Sequence, residues 1–305
     1  METQIRNVPD QIPEKIQKIL VPVDYSDYSK NACRYAIKIA GESKAEILLL
    51  HAYYSPAFDL IEMAGSGQTQ LELRADVISN LEENEKETIE NFLEEIDTYL
   101  KASHVPKNKI SYKILPGIAE DTILSLSEEY EPDLVVMGTR GKDKRANSLI
   151  GSVTEVVIKK IHFPVLTVPE NYTFIGLENV RNLLYLTNFD ESDFISIRKL
   201  MKFTKPLKLK IFCIHISDRE EKWDMVKMNG LKDYFKTAYG QTPVECGYII
   251  NKNLLEEIDQ FVREREIKII SLTTRRRNLI NQLFKPSLTQ KLFYNTSIPL
   301  LIFHT

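Results

Sequence analysis

Gly138-Thr139-Arg140-Gly141, nine further residues, and then Gly151-Ser152-Val153-Thr154 form the string in this 305-residue chain whose residue types and spacing fit a definite chemistry. Glycines let a backbone turn through positive φ and bring its N–H groups against a ligand with no Cβ in the way. A helix opening at the third glycine adds unpaired N–H donors and a partial positive charge, and together these favour an oxyanion. The chemistry served is phosphate binding, with Gly151, Ser152 and Val153 as donors. Lys142, Lys144 and Arg145, in the loop between, read either as extra cationic contacts or as a solvated surface. Ser152 has a second reading, because with Glu155 it spells S-x-x-E, the sequence of a helix capping box. Asp24, directly after the apolar run Ile19 to Val23, is the other candidate. It is either an acceptor for ribose hydroxyls or base, or a cap on the first helix.

The elements that must hold these groups are legible as short apolar runs. Lys18 to Val23, Glu46 to His51, Ile110 to Leu115, Leu134 to Met137 and Val165 to Val168 predict five strands with helical patterns between them. Glu46 to His51, EILLLH, is too continuously apolar for a half-exposed strand and suits a parallel sheet covered on both faces. Alternating strands and helices build right-handed βαβ units, and ligands of such sheets sit at the carboxyl ends of the strands, near the point where strand order reverses. One stretch departs from the simple alternation. Residues 53–107 hold a loop with Gly65, Ser66 and Gly67 and then a long acidic helix. The stripe Ile78, Leu81, Ile89, Phe92, Leu93, Ile96 and Leu100 predicts that it packs on the sheet with its Glu-rich side in water.

After Pro169 the segment ENYTFIGLEN predicts a linker, and then the pattern restarts. Leu183 to Thr187 precede Asn188 as Ile19 to Val23 precede Asp24, an offset of 164 that also carries His51 onto His215. Near the carboxyl end the offset falls to 135, placing Gly138 on Thr273, Ser152 on Ser287 and Pro164 on Pro299. The second copy is therefore shorter by the difference between the two offsets, and the deletion falls between its second and fourth strands. Gly138, Gly141 and Gly151 become Thr273, Arg276 and Pro286, and Asp24 becomes Asn188, whereas Ser287 and Gln290 keep an S-x-x-Q cap. The cap survives where glycines and carboxylate are lost together, so a ligand is the expected reason for the latter. The expected organisation is a nucleotide-binding domain over 1–169, a linker over 170–179 and a degenerate copy over 180–305.

Composition narrows the partners. Apolar residues at 43% and charged residues at 27% are those of an ordinary globular chain. A net charge of −3 provides no global field for nucleic acid or an anionic membrane. No stretch approaches the roughly 20 apolar residues of a membrane span, and METQIRNVPDQIPEKIQ lacks a signal-peptide core, so a cytoplasmic location is expected. Cys33, Cys213 and Cys246 are odd in number and far apart, and are read as reduced, mostly buried thiols outside any disulfide framework or zinc site. The five histidines show no metal-ligand spacing.

KILVPVDYS, EILLLHA, DLVVMGTRG and the complete G-x-x-G-x9-G-S-V-T resemble the universal stress protein family, in its ATP-binding branch, over residues 16–169. Residues 180–304 resemble it in strand and helix pattern alone. The resemblance implies two tandem doubly wound five-stranded parallel sheets of the adenine nucleotide alpha hydrolase-like kind, strand order 3-2-1-4-5. It places Pro22, Val23, Asp24 and Ala52 at the adenosine end, Ala52 standing where the family often has a larger aliphatic. Met137, Gly138, Gly141, Gly151, Ser152 and Val153 surround ribose and phosphates. ATP is the implied ligand, with Mg2+ or Mn2+ carried on the phosphates, and no catalytic or metal-ligating residue is implied. Pairing of the fifth strands would give an intrachain pseudo-dimer, with further homodimerisation open. Three functions stay open: a stress-response regulatory module acting on a protein partner, a slow ATPase or self-phosphorylating enzyme using Ser152 or Thr154, and a nucleotide-free scaffold with Arg275, Arg276 and Arg277 as an anion patch.

Overall fold

Apolar runs flanked by turn-forming residues become strands, and the amphipathic stretches between them become the helices that cover them. In the computed structural model, which describes residues 15–54, 68–102, 109–141, 151–169, 181–187, 189, 191–217, 219, 222–250, 254–274 and 298–304, the first half of the chain is built in this way. Its strands are β1 (Lys18–Pro22), β2 (Glu46–Tyr53), β3 (Ile110–Pro116), β4 (Leu134–Gly138) and β5 (Val165–Val168). Its helices are α1 (Asp27–Ser43), α2 (Gln68–Ala102), α3 (Ala119–Tyr130) and α4 (Ser152–Lys160). The second half repeats the order with β6 (Asn182–Leu186), α5 (Glu191–Leu207), β7 (Lys210–Ser217), α6 (Asp224–Tyr239), β8 (Val244–Ile250), α7 (Leu254–Glu264), β9 (Ile267–Thr274) and β10 (Leu300–His304).

The ten strands form one sheet in the order β3-β2-β1-β4-β5-β10-β9-β6-β7-β8. Each half therefore has the order 3-2-1-4-5, all parallel, and the halves meet where β5 and β10 pair antiparallel. At the centre of that seam Leu166 lies opposite Leu301, its own repeat counterpart. The pairing removes two apolar edges that would otherwise invite association. One apolar cluster, with α1, α2, α5 and α6, covers one face of the sheet across both halves, and a second, with α3, α4 and α7, covers the other.

The repeat extends to backbone strain. Non-glycine residues with positive φ fall in matched pairs: Tyr25 (φ 63°) with Phe189 (55°), Lys44 (64°) with Lys208 (52°), and Glu131 (50°) with Glu266 (47°). The first two pairs are separated by the larger of the two offsets read from the sequence, and the third by the smaller. The deletion is also where expected, since the 35-residue α2 has a 16-residue counterpart in α6. Ile89, Phe92, Ile96 and Leu100 of α2 are buried as the stripe predicts, while the side chain of Ile78 lies outside the described residues.

The three cysteines are free and mostly buried thiols, as expected, and the fold adds one relation that the sequence did not give. Cys213 and Cys246 are distant in sequence but occupy directly paired positions on the neighbouring strands β7 and β8. A parallel crossover brings distant residues together in a way that spacing does not show. Cys33 and Cys213 are buried and Cys246 is half-buried. Among the described residues, no helix is long and apolar enough to cross a membrane.

Candidate functional site

In each half the first strand lies between the second and fourth, so the crossovers leave it in opposite directions and open a cleft above its carboxyl end. In the first half this cleft has a volume of about 350 Å3. Pro22, Val23, Asp24, Ala52, Met137, Gly138, Gly141, Gly151, Ser152 and Val153 all line it. So do Ser29 of α1, Leu50 and His51 of β2, Ala119 and Ile123 of α3, Arg140 and Thr154. Sequence reasoning passed over Arg140 although it stands inside the Gly138–Gly141 loop. It also passed over Ala119 and Ile123, whose spacing of four puts both on one face of α3.

The head of α4 is fastened to the end of β4. Gly151 donates its N–H to the Thr139 carbonyl at 2.8 Å, and Thr154 donates its hydroxyl to the Gly138 carbonyl at 3.0 Å. Three expectations change as a result. Gly151, with φ −66° and ψ 155°, is itself the N-cap, so Ser152 is the first helical residue and not the cap of a capping box. The Gly151 N–H is already engaged, so the donors of the first turn are those of Ser152, Val153 and Thr154, which have no intrahelical partners. The Thr154 hydroxyl is buried and bonded, which removes it as a phosphate acceptor.

Asp24 combines its two readings. Ser26 is the N-cap of α1, its hydroxyl accepting from the Ser29 N–H at 3.2 Å. Asp24 Oδ1 in turn accepts from the N–H and hydroxyl of Ser26, at 3.1 and 2.6 Å. The carboxylate thus supports the cap from outside it while lining the cleft.

The glycines have internal reasons as well. A Cβ on Gly141 would stand 2.5 Å from Asp24 Oδ2, and one on Gly138 would stand 2.7 Å from Tyr28 Cβ. Real Cβ atoms do not approach so closely, so Gly138, hemmed in by backbone of Tyr28 and Arg140, needs glycine for packing, whereas a side chain at Gly141 would have to displace the Asp24 carboxylate. Gly151 is less strict, with a Cβ 3.3 Å from Arg140 Cα.

Behind the cleft His51 Nδ1 donates to the Val23 carbonyl at 2.8 Å, and Nε2 faces Glu85 of α2 at 3.1 Å. Tyr25 stacks on the imidazole with ring centroids 4.4 Å apart and meets Phe92 edge-on at 5.6 Å. Burial, with the Glu85 charge beside it, pushes the Tyr25 phenol well up. The long acidic helix is thereby tied to the cleft wall.

The second half repeats the scaffold and changes its contents. His215 Nδ1 donates to the Thr187 carbonyl at 2.8 Å, and Phe189 stacks on it at 4.2 Å. The counterparts of Val23, Ser29 and Gly138, however, are Thr187, Asp193 and Thr273. Asp193 is buried and accepts from the hydroxyls of Tyr185 (2.7 Å) and Thr187 (2.6 Å), while Tyr185 also bonds Thr273 Oγ1 at 2.8 Å. Four side chains form a hydrogen-bonded cluster, three of them at positions whose counterparts line the cleft in the first half. Asn188, Arg275 to Arg277, Pro286, Ser287 and Gln290 lie outside the described residues, as do Lys142, Lys144, Arg145, the Gly65 loop and the segment 170–179.

The family model of the universal stress protein family matches residues 15–169. Universal stress protein MJ0531 of Methanocaldococcus jannaschii is 34% identical over 152 residues, covering 50% of this chain and 81% of the relative. Universal stress protein MJ0577 of the same organism is 29% identical over 160 residues, 50% of this chain and 94% of the relative. The crystal structure of a universal stress protein from Archaeoglobus fulgidus superposes with a TM-score of 0.68 at 17% identity, covering 94% of this chain and 98% of the other, which extends the likeness in fold to both halves. The chain belongs to the universal stress protein family.

Proposed function

We propose that the first half binds an adenine nucleotide, ATP by preference, in the cleft above β1 and β4, and that the protein acts as a regulatory binding module in a stress response. In this reading residues 1–169 are a nucleotide-binding domain, 170–179 a linker and 180–305 a degenerate copy retained for its scaffold. Pro22, Val23 and Ala52, together with Ala119 and Ile123, make the apolar adenosine end, and Asp24 and Met137 border the ribose. The loop from Gly138 to Gly141 and the N–H groups of Ser152 and Val153 receive the phosphates.

The observation that carries this reading is the head of α4. Two N–H groups without helical partners, at the positive end of a helix dipole, open onto a cleft whose volume suits a small ligand. Among the described residues no group of three or more His, Cys, Asp or Glu is placed to hold a metal ion. A divalent ion would travel on the phosphates, near Asp24. The closed cluster around Asp193 supports assigning the nucleotide to the first half alone.

Ser152→Pro tests the reading cleanly. Proline is favoured at the first position of a helix, where its missing N–H would be unpartnered anyway, and the extended Gly151 suits the residue before proline. ATP at a hundred times its Kd should stabilise the wild-type protein by about 2.7 kcal/mol in thermal unfolding. Ser152→Pro should keep the nucleotide-free midpoint and weaken binding about ten- to a hundredfold, the loss of one hydrogen bond to a charged group. An unchanged affinity in this variant rejects the phosphate placement, and a wild-type midpoint indifferent to ATP rejects the function.

A further inference from the structure

We propose that Cys213 and Cys246 are a peroxide-sensitive dithiol that closes to an intrachain disulfide. The pair lies in the second half, away from the cleft, and stands independently of nucleotide binding. Residues directly opposed on neighbouring strands project to the same face, and strands lie about 4.8 Å apart, inside the Cα separation of about 4.4–6.8 Å that a disulfide requires. The two thiols hydrogen-bond each other and share one apolar cluster.

The thiols differ in a way that assigns their roles. Cys213 is on the inner strand β7 and fully buried, whereas Cys246 is half-buried on β8, the outermost strand of the sheet. The hydrogen bond from Cys213, aided by the charge of the exposed Lys232, pulls the Cys246 thiol down against the effect of burial. The same bond, with burial, pushes Cys213 up. Cys246 is the nucleophile and Cys213 the resolving thiol. The Cys246 thiolate attacks one oxygen of a hydroperoxide; the O–O bond breaks, and the leaving oxygen takes a proton and departs as water or an alcohol. Cys213 sulfur then attacks the sulfenic sulfur, the S–O bond breaks, and the hydroxyl leaves with the Cys213 proton as water. Two thiols and one hydroperoxide give one disulfide, one water and one water or alcohol. Cys33, wholly buried on α1 with its thiol pushed up to about 12, is a built-in control.

The test uses the full reduced chain, hydrogen peroxide at neutral pH, and mass spectrometry of the intact protein and its peptides. The expected result is loss of two hydrogen masses, with a dithiothreitol-sensitive link between the Cys213 and Cys246 peptides and Cys33 unmodified. Cys213→Ser should stop at a sulfenic acid on Cys246 that a dimedone probe captures, and Cys33→Ser should behave as wild type. Over-oxidation of Cys246 without a link, a link involving Cys33, a link between two chains, or no reaction in the folded protein would each overturn the proposal. The wild-type peptide map decides the matter even where a variant fails to fold.

Discussion

The two halves share strand order, positive-φ positions and the stacked histidine behind the first strand, yet Val23, Ser29 and Gly138 line a cleft in one where Thr187, Asp193 and Thr273 join a polar cluster in the other. The difference lies in a few side chains on a common frame. Gly138 gives the end of β4 no side chain, and its counterpart Thr273 projects a hydroxyl that bonds Tyr185. Ser29 donates to the carbonyl of its own helix cap, whereas Asp193 in its place is an anchor for two hydroxyls. Doubly wound sheets set the switch point by topology, and side chains decide what stands beside it.

Transplanting the second half's choice into the first should have the largest effect. Gly138→Thr drives a Cβ against Tyr28 and should cost about 3 kcal/mol in denaturant unfolding while abolishing stabilisation by ATP. If the variant still binds ATP with unchanged affinity, the contrast between the halves does not explain the loss of a site. Next in size is the reverse contrast. Asp193→Ala takes the acceptor from the buried Thr187 hydroxyl, which keeps its bond from the Phe189 N–H, and one partner from Tyr185, for a cost of about 2 kcal/mol, whereas Ser29→Ala should cost less than about 1 kcal/mol. Equal costs would mean that the cluster contributes nothing to the second half. The smallest effect concerns the helix that only the first half has at such length. Glu85→Gln, read by urea unfolding at low and high salt, should lower stability by under about 1 kcal/mol, with the difference shrinking as salt rises. A salt-independent loss would show that packing and not charge ties α2 to His51.

Much of the fold was legible because parallel strands covered on both faces leave continuous apolar runs, and because the repeat offsets carry those runs from one half to the other. The cleft was legible for the same reason: G-x-x-G-x9-G-S and Asp24 mark the ends of the two strands that flank the switch point. What the sequence hid is how residues serve one another across it. Gly138 and Gly141 look like ligand glycines, but each also makes room for a neighbour, Tyr28 or the Asp24 carboxylate. Their loss from the second half is therefore weaker testimony about a ligand than spacing alone suggests. Gly151 spends its N–H inside the protein, which a pattern of letters does not reveal. The polar cluster of the second half involves Tyr185, whose counterpart Val21 is an ordinary strand residue, so no motif announced it. The neighbouring thiols of β7 and β8 come together through the crossover that contains α6, beyond any local spacing rule.

Leu166 facing Leu301 has a consequence for molecularity. Two separate molecules meeting through such strands would hold together by mass action and come apart on dilution. Here both partners arrive on one polypeptide, so the central strand pair is as secure in a single molecule as in a concentrated solution. Two covalently joined partners are also free to diverge, and under the proposed function the ligand stoichiometry would be set within each chain, at one nucleotide for every two folded copies.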